Sequence, residues 1–197
     1  MGIFYHQFTA VGAAAQPMHA EAVQLATACA HHFTPMAGIG IGIANGSCRA
    51  AVAVNFPPNY PAYAGNPFGV MYGNSQLAAQ GIAVGQGGAL GAHAERSALT
   101  AGAGAGGGPV PLYTVAVAGA LANAVLFVEL QPCQGCQNWL GGAGGGVPNP
   151  YNGIINGLGA TTNLHVWYRW PFPAGVAAMI AFHGNLLPAQ VGIIAGW

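Results

Sequence analysis

Two short motifs constrain this chain more than any other feature of its sequence. The first is His93-Ala94-Glu95, and the second is Pro132-Cys133-Gln134-Gly135-Cys136. The chain between them is long enough for about one helix and one strand. A histidine and two cysteines can bind one metal ion, and a carboxylate beside them can move protons. We therefore expect the fold to bring both motifs to one place.

The cysteine pair has the spacing of two metal ligands at the start of a helix. Cys133 and Cys136 lie three residues apart, so both thiols face the same side of a helix. The free N–H groups and the dipole of the helix N-terminus favour their thiolates. Pro132 suits the entry to such a helix. Two thiolates and one imidazole leave the fourth tetrahedral position open, as in a catalytic zinc site.

His93 is the expected third ligand, and Glu95 is the expected proton carrier. Residues two apart in a regular helix point to different sides, so we expect His93-Ala94-Glu95 at a junction between a loop and a helix. Zinc lowers the pKa of a bound water to about 7. Glu95 could then take a proton from that water and deliver it to a ring nitrogen and a leaving amine.

The chain contains a second triplet of the same kind, His19-Ala20-Glu21. This triplet falls within the first predicted helix and has no Cys-x-x-Cys partner at the right spacing. We interpret it as unrelated to a metal site, because a His-x-Glu triplet alone carries little information.

The charge content is far below that of ordinary domains. Only 3% of the 197 residues are Asp, Glu, Lys or Arg, against about 25% in typical proteins. Three arginines cannot form the basic stripe that phosphate binding normally uses. A net charge near zero gives little colloidal repulsion, so we expect a homo-oligomer. Glu129 lies in an apolar run, and Arg96 is its expected partner.

The sequence also indicates the cellular compartment in which the protein is expected. No Lys or Arg precedes Arg49, unlike the cationic start of a signal peptide. No apolar run has the pattern of a membrane span. A thiolate metal site fits a reducing compartment, and the four cysteines do not indicate a disulfide framework. We expect a cytoplasmic protein with no membrane partner.

Hydrophobic periodicity predicts one α/β domain over residues 17–197, preceded by a lead-in over 1–16. A helix is expected over 17–33, ended by Pro35. A hairpin is expected from strands over 38–44 and 48–56, joined by Asn45-Gly46. The other expected elements are a long loop over 57–91 with a helical turn over 75–83, helices over 92–103, 133–140 and 174–182, strands over 112–118, 124–130 and 162–170, and a last strand or tail over 191–197. This order indicates a mixed sheet with helices on its faces.

On the residues His93-Ala94-Glu95 and Pro132-Cys133-Gln134-Gly135-Cys136, the chain resembles the cytidine-deaminase-like superfamily of zinc-dependent deaminases. The run Phe127-Val128-Glu129-Leu130 before the proline and the helix–hairpin–helix order ahead of it are also similar. The resemblance implies a three-layer α/β/α sandwich around a mixed five-stranded sheet. Members act on free cytidine, cytosine, guanine or related pterins, on tRNA adenosine, and on DNA or RNA cytosine, and some are domains of bacterial toxins.

The resemblance also implies roles for individual residues. Glu95 would be the catalytic proton shuttle, and the cofactor would be one Zn²⁺ ion. The implied metal ligands are His93, Cys133 and Cys136. The implied substrate contacts are Asn55, Phe56, Ala94 and Pro132.

Three functions stay open at this point. The first is hydrolytic deamination of a free nucleoside or base, most simply of the cytosine type, with release of ammonia. The second is deamination of cytosine in single-stranded or flipped DNA or RNA, by stacking on the aromatics of the long loop; a toxin effector of this kind would be exported and act in a target cell's cytoplasm. The third is a non-catalytic zinc-binding protein, which would have no use for the Glu95 carboxylate.

Overall fold

The computed structural model describes residues 2–38, 48–53, 70–75, 93–95, 98, 123–141 and 163–185. The described strands are β1 (Ile3–Gln7), β2 (Arg49–Ala53), β3 (Val70–Asn74), β4 (Asn123–Leu130) and β5 (Asn163–Trp170). The described α-helices are α1 (His19–Gly38), α2 (Gln134–Leu140) and α3 (Val176–Asn185), and a 3-10 turn spans Ala13–Ala15.

The five strands form one mixed sheet in the order β1-β5-β4-β2-β3. Strands β1 and β4 run parallel to β5, whereas β2 runs antiparallel to both β3 and β4. Helix α2 lies in the chain between β4 and β5, so these two parallel strands are joined by a helical crossover. The predicted α/β class with a mixed five-stranded sheet is confirmed.

Strand β4 lies at the centre of the sheet because its side chains are almost all apolar. Val125 and Phe127 pack with α1 on one face, and Leu126 and Val128 pack on the opposite face. Burial of each Leu or Phe stabilises the fold by about 1.5–3 kcal/mol. We call the first face the α1 face and the second the site face, which is covered by Ala94, Ala98 and Leu140.

Helix α1 covers its face of the sheet with an apolar stripe at helical spacing. The buried residues of the stripe are Ala22, Leu25, Ala26, Cys29 and Phe33. The predicted end of this helix at Pro35 is wrong, because α1 begins at His19 and continues to Gly38. Proline removes one hydrogen bond to the carbonyl four residues earlier. The buried stripe ends at Phe33, so the last residues of α1 extend the helix beyond the part that packs on the sheet in this stripe.

The predicted hairpin around Asn45-Gly46 is wrong about the partner of β2. The second predicted strand, over 48–56, is confirmed for residues 49–53, which form β2, and residues 54–56 lie outside the described part. Both edges of β2 are occupied, because Ala51 pairs with Tyr72 of β3 on one side and with Phe127 of β4 on the other. A strand has two edges, so the segment 38–44 has no edge of β2 left to pair with. Gly38 ends α1, and residues 39–47 lie outside the described part.

Two segments predicted without strands contain one each. The lead-in over 1–16 contains β1, in which Tyr5 pairs with Val166 of β5. The long loop over 57–91 contains β3, which pairs with β2. Both strands have five residues and lie at the edges of the sheet. Short edge strands bury little side-chain surface, so their alternating pattern in the sequence is weak.

The remaining predictions agree with the structure where it describes the chain. Strands β4 and β5 match the predicted segments 124–130 and 162–170, and α2 matches 133–140. Helix α3 begins and ends two to three residues later than the predicted 174–182. The segments predicted over 76–83, 112–118 and 191–197, and most of the helix over 92–103, lie outside the described residues. No helix in the described part is long and apolar enough to cross a membrane.

A pair of histidines links β1 to β5 on the α1 face. His6 Nε2 lies 2.9 Å from His165 Nδ1, and His165 Nε2 lies 3.1 Å from Asn123 Oδ1. The amide oxygen can only accept, so the neutral pair is satisfied when His165 donates to Asn123 and accepts from His6. Burial lowers the pKa of both rings; His165 lowers that of His6 further, and Glu21 partly offsets the effect on His165.

These lowered pKa values make stability depend on pH. The unfolded chain titrates its histidines near pH 6.5, above both folded-state pKa values, so the unfolded state binds more protons below that pH. The contribution of the neutral pair is complete above about pH 7 and is lost as the pH falls through the folded-state pKa values. We expect urea unfolding to show lower stability at about pH 5 than at about pH 7.5, and the double variant His6→Gln/His165→Gln to show a smaller difference. If the double variant shows the same difference in stability between the two pH values as the wild type, other groups cause the loss of stability in acid.

Candidate functional site

The carboxyl end of β4 leads directly into the cysteine motif. The backbone N–H of Gln131 donates to the Trp170 carbonyl at the end of β5, at 2.8 Å. The Cys133 carbonyl accepts the N–H of Gln137 at 2.9 Å and so begins α2. The Gln137 side chain donates to the Pro132 carbonyl at 2.7 Å. These bonds fix Cys133 at the helix entrance and Cys136 one turn later on the same side.

The histidine motif lies at the junction that the sequence predicts. His93 precedes the helical residues Ala94 and Glu95, and Ala98 is helical as well. This segment packs closely on β3, because a Cβ atom on Gly73 would overlap the Ala94 carbonyl oxygen and the Ala98 nitrogen. Glycine at position 73 therefore lets the backbone of the motif approach the sheet.

The candidate metal ligands from the two motifs come together. The ligand atoms of His93, Cys133 and Cys136 all lie within 4.8 Å of one another, and Cys133 Sγ lies 3.7 Å from His93 Nδ1. Ligand atoms around a tetrahedral zinc ion lie about 3.5–3.8 Å apart, so the group fits one ion with small side-chain shifts. It is the only group of three such side chains in the part of the chain that the structure describes.

Glu95 lies beside this group and is buried, with 4% of its surface exposed. Burial raises the pKa of the Cys136 thiol far above its usual range, and the charge of Glu95 and a hydrogen bond to it raise the pKa further. A bound divalent cation has the opposite effect, because it favours the thiolate. Tyr5 on β1 lies close enough to feel the same charges. Its burial and the negative charges of Glu95 and Cys136 raise its pKa to about 12.

A cavity of about 280 Å³ opens onto His93, Glu95 and Cys133. Its other described lining residues are Cys48, Ser75, Ala94, Leu130, Gln131, Phe172 and Val176. The walls are therefore largely apolar, with a few polar groups that converge near the metal ligands. Such a mixture is typical of small-molecule sites.

The start of β2 and the end of β3 are held together at one wall of this cavity. The Cys48 N–H donates to Ser75 Oγ, and the Ser75 N–H donates to the Cys48 carbonyl, both at 3.0 Å. On the α1 face behind this wall, Glu129 accepts the backbone N–H of Arg49 at 3.0 Å and contacts His183 Nε2 at 2.8 Å. Both carboxylate oxygens thus have partners other than the expected Arg96, which lies outside the described residues.

The predicted substrate contacts are placed only in part. Ala94 lines the cavity, and Pro132 is buried between two residues that line it. Asn55 and Phe56 lie outside the described residues, so those two predictions stay predictions. The triplet at His19 is remote from the cysteines: its ring packs against Trp167 and Phe8 on the α1 face, at 5.1 and 5.7 Å between ring centroids.

Sequence reasoning did not identify several cavity residues. Gln131, Phe172 and Val176 follow β4 and β5, and a signal for them existed, because the carboxyl ends of parallel strands meet at one edge of a sheet and form sites there. Cys48 and Ser75 carried no comparable signal, because their position depends on the pairing of β2 with β3.

The close contact at Gly73 can be tested by substitution. We expect Gly73→Ala to destabilise the protein by about 1–3 kcal/mol, as overpacking typically does, and to weaken zinc binding because His93 is displaced. Urea unfolding and zinc titration would measure the two effects. Ala20→Ser, at an exposed position of α1 on the opposite side of the sheet, is the control. If Gly73→Ala is as stable as the wild type and binds zinc with the same affinity, the close contact between Gly73 and the histidine motif is contradicted.

No protein-family model, no curated protein and no solved structure matches this chain.

Proposed function

We propose that this protein is a zinc-dependent hydrolytic deaminase that converts an amino-bearing nucleobase ring, presented as a free base or nucleoside, to the carbonyl form. One observation carries the proposal: a His/Cys/Cys group and a buried glutamate from two separate motifs meet at one cavity. The mixed sheet with helical residues on both faces supports a cytidine-deaminase-like three-layer sandwich as the fold behind this chemistry.

The residues of the site divide the chemistry between them. His93, Cys133 and Cys136 would hold the zinc ion, which when bound makes a water easier to deprotonate. Glu95 takes a proton from water and gives it to the ring nitrogen, and a second transfer gives a proton to the amino group. A bond forms between the water oxygen and the ring carbon, the carbon–nitrogen bond breaks, and ammonia leaves. Leu130, Phe172 and Val176 provide apolar surface against which the ring can pack.

The cavity favours a small substrate over a polynucleotide. Its volume of about 280 Å³ lies just below the usual range for ligand pockets, about 300–1,000 Å³. No cationic side chain is among its described lining residues. Arg49 is buried on the α1 face, where its guanidinium lies 5.8 Å from the Phe33 ring centroid. A polynucleotide would need cations along its backbone.

The test is ammonia release by the zinc-loaded protein from cytosine, cytidine, adenosine, guanine and single-stranded DNA or RNA. We expect release from a free base or nucleoside, and loss of release after chelation with recovery on adding zinc. Conversion of the polynucleotides alone would favour the nucleic-acid deaminase. Tight zinc binding with no conversion of any of these compounds would favour the non-catalytic protein.

A further inference from the structure

We propose that the side-chain carboxamide of Gln131 selects the substrate, by pairing with a lactam edge of the ring, in which an N–H donor lies beside a C=O acceptor. This inference rests on the proposed function for the identity of the ligand as an amino-bearing ring. It concerns recognition of the ring rather than the chemical step, so it can be tested by binding.

Gln131 is held in place at the cavity wall. It lies between Leu130 and Pro132, directly after β4, and it lines the cavity together with Cys133. Its backbone N–H is already committed to the Trp170 carbonyl at 2.8 Å. The bond between the ends of β4 and β5 keeps the main chain fixed, so the group that Gln131 can offer as both donor and acceptor is its side chain.

The carboxamide of Gln131 has no hydrogen-bond partner within the described part of the chain, whereas two other polar side chains nearby each have one. Ser75 Oγ accepts the N–H of Cys48 at 3.0 Å. The amide of Gln137, on α2, donates to the Pro132 carbonyl at 2.7 Å. Gln131 is half-buried, so its amide has lost part of its contact with water and gains from a partner in the cavity.

The chemistry of a carboxamide defines the ring edge that it can read. One oxygen accepts and the adjacent NH₂ donates, so an amide forms two parallel hydrogen bonds with a lactam edge, N–H beside C=O. Cytosine as a free base has this edge at N1 and C2, away from the amino-bearing carbon. 4-Aminopyrimidine has the same amino-bearing carbon in the ring but lacks the lactam edge. Gln131 would therefore favour an unglycosylated amino-oxo-pyrimidine.

The test compares binding of these two compounds to zinc-loaded Glu95→Gln protein, in which turnover does not interfere. We expect calorimetry to show cytosine binding about 10–100-fold more tightly than 4-aminopyrimidine, as one or two hydrogen bonds predict. Gln131→Leu, of similar size, should reduce this preference to about threefold or less. Gln16→Leu, at an exposed position remote from the cavity, should preserve it.

The outcomes separate this inference from the proposed function. A preference that disappears in Gln131→Leu supports the inference, even if the wild-type protein releases no ammonia from any compound. An equal loss of affinity for both compounds, an unchanged preference, or no binding of cytosine by Glu95→Gln overturns it, even if deamination of another ring is observed.

Discussion

Replacing Glu95 by Gln is expected to reduce deamination by about 10²–10⁴-fold, the usual contribution of a positioned acid–base group. Gln has nearly the same shape but cannot take up and release a proton at neutral pH. The buried carboxylate lies beside Cys136, and its replacement by an amide leaves the three candidate metal ligands in place. Steady-state ammonia release and zinc content would be measured on the same preparation.

The matched control for this result is Cys133→Ser. We expect this variant to lose both zinc and activity, because a hydroxyl does not replace a thiolate ligand. Glu95→Gln should lose activity while it keeps the metal. Equal activity of Glu95→Gln and wild type would remove Glu95 from the mechanism, and a zinc-free Glu95→Gln protein would make it part of metal binding instead.

The second large effect is expected at Glu129, on the α1 face. Its carboxylate is 4% exposed and joins β4 to β2 and α3, through the Arg49 backbone N–H and through His183. Removing the carboxylate takes away the acceptor of the buried Arg49 backbone N–H and the 2.8 Å contact of His183 Nε2, so we expect Glu129→Ala to cost about 2–5 kcal/mol in the free energy of unfolding.

A double-mutant cycle with His183 distinguishes this cause from a simple loss of packing. The single variants are Glu129→Leu and His183→Leu, and the double variant Glu129→Leu/His183→Leu replaces both groups by apolar side chains. We expect the double variant to lose less stability than the sum of the two single losses, because each single variant removes the 2.8 Å contact from one buried polar group that stays in place, and the double variant leaves neither group. Glu21→Ala, in the first turn of α1, should cost at most about 1 kcal/mol. Additive losses in the double variant would contradict coupling between His183 and Glu129.

The parts of the fold that the sequence anticipates are those with strong local signals. Strand β4 is a continuous apolar run, and β5 alternates Leu164 and Val166 with Trp167 and Arg169. Helix α2 follows a proline and is short because Gly141 succeeds it. In each of these segments, side-chain burial and local propensity favour the same structure. The pattern of residues in one sequence is therefore sufficient to predict the element.

The parts that the sequence does not anticipate depend on partners far along the chain. Asn45-Gly46 is a strong turn signal, yet β2 pairs with β3 and β4 and has no free edge for a strand over 38–44. Strand β1 exists because β5 offers an edge for it, at Tyr5 opposite Val166. Neither segment has a pattern of its own that reveals these pairings.

The sequence by itself identified the candidate residues, which are His93, Glu95, Cys133 and Cys136, and predicted their positions at the entrances of two helices. Those assignments follow from residue type and short spacing, which are local properties. Only the tertiary structure decided what surrounds them. Packing of Gly73 against the histidine motif, pairing of β2 with β3, and the meeting of β4 and β5 at one edge bring Ser75, Gln131 and Phe172 to the cavity. Contacts between distant segments form through backbone pairing and burial, so the set of residues that lines the site depends on partners far along the chain.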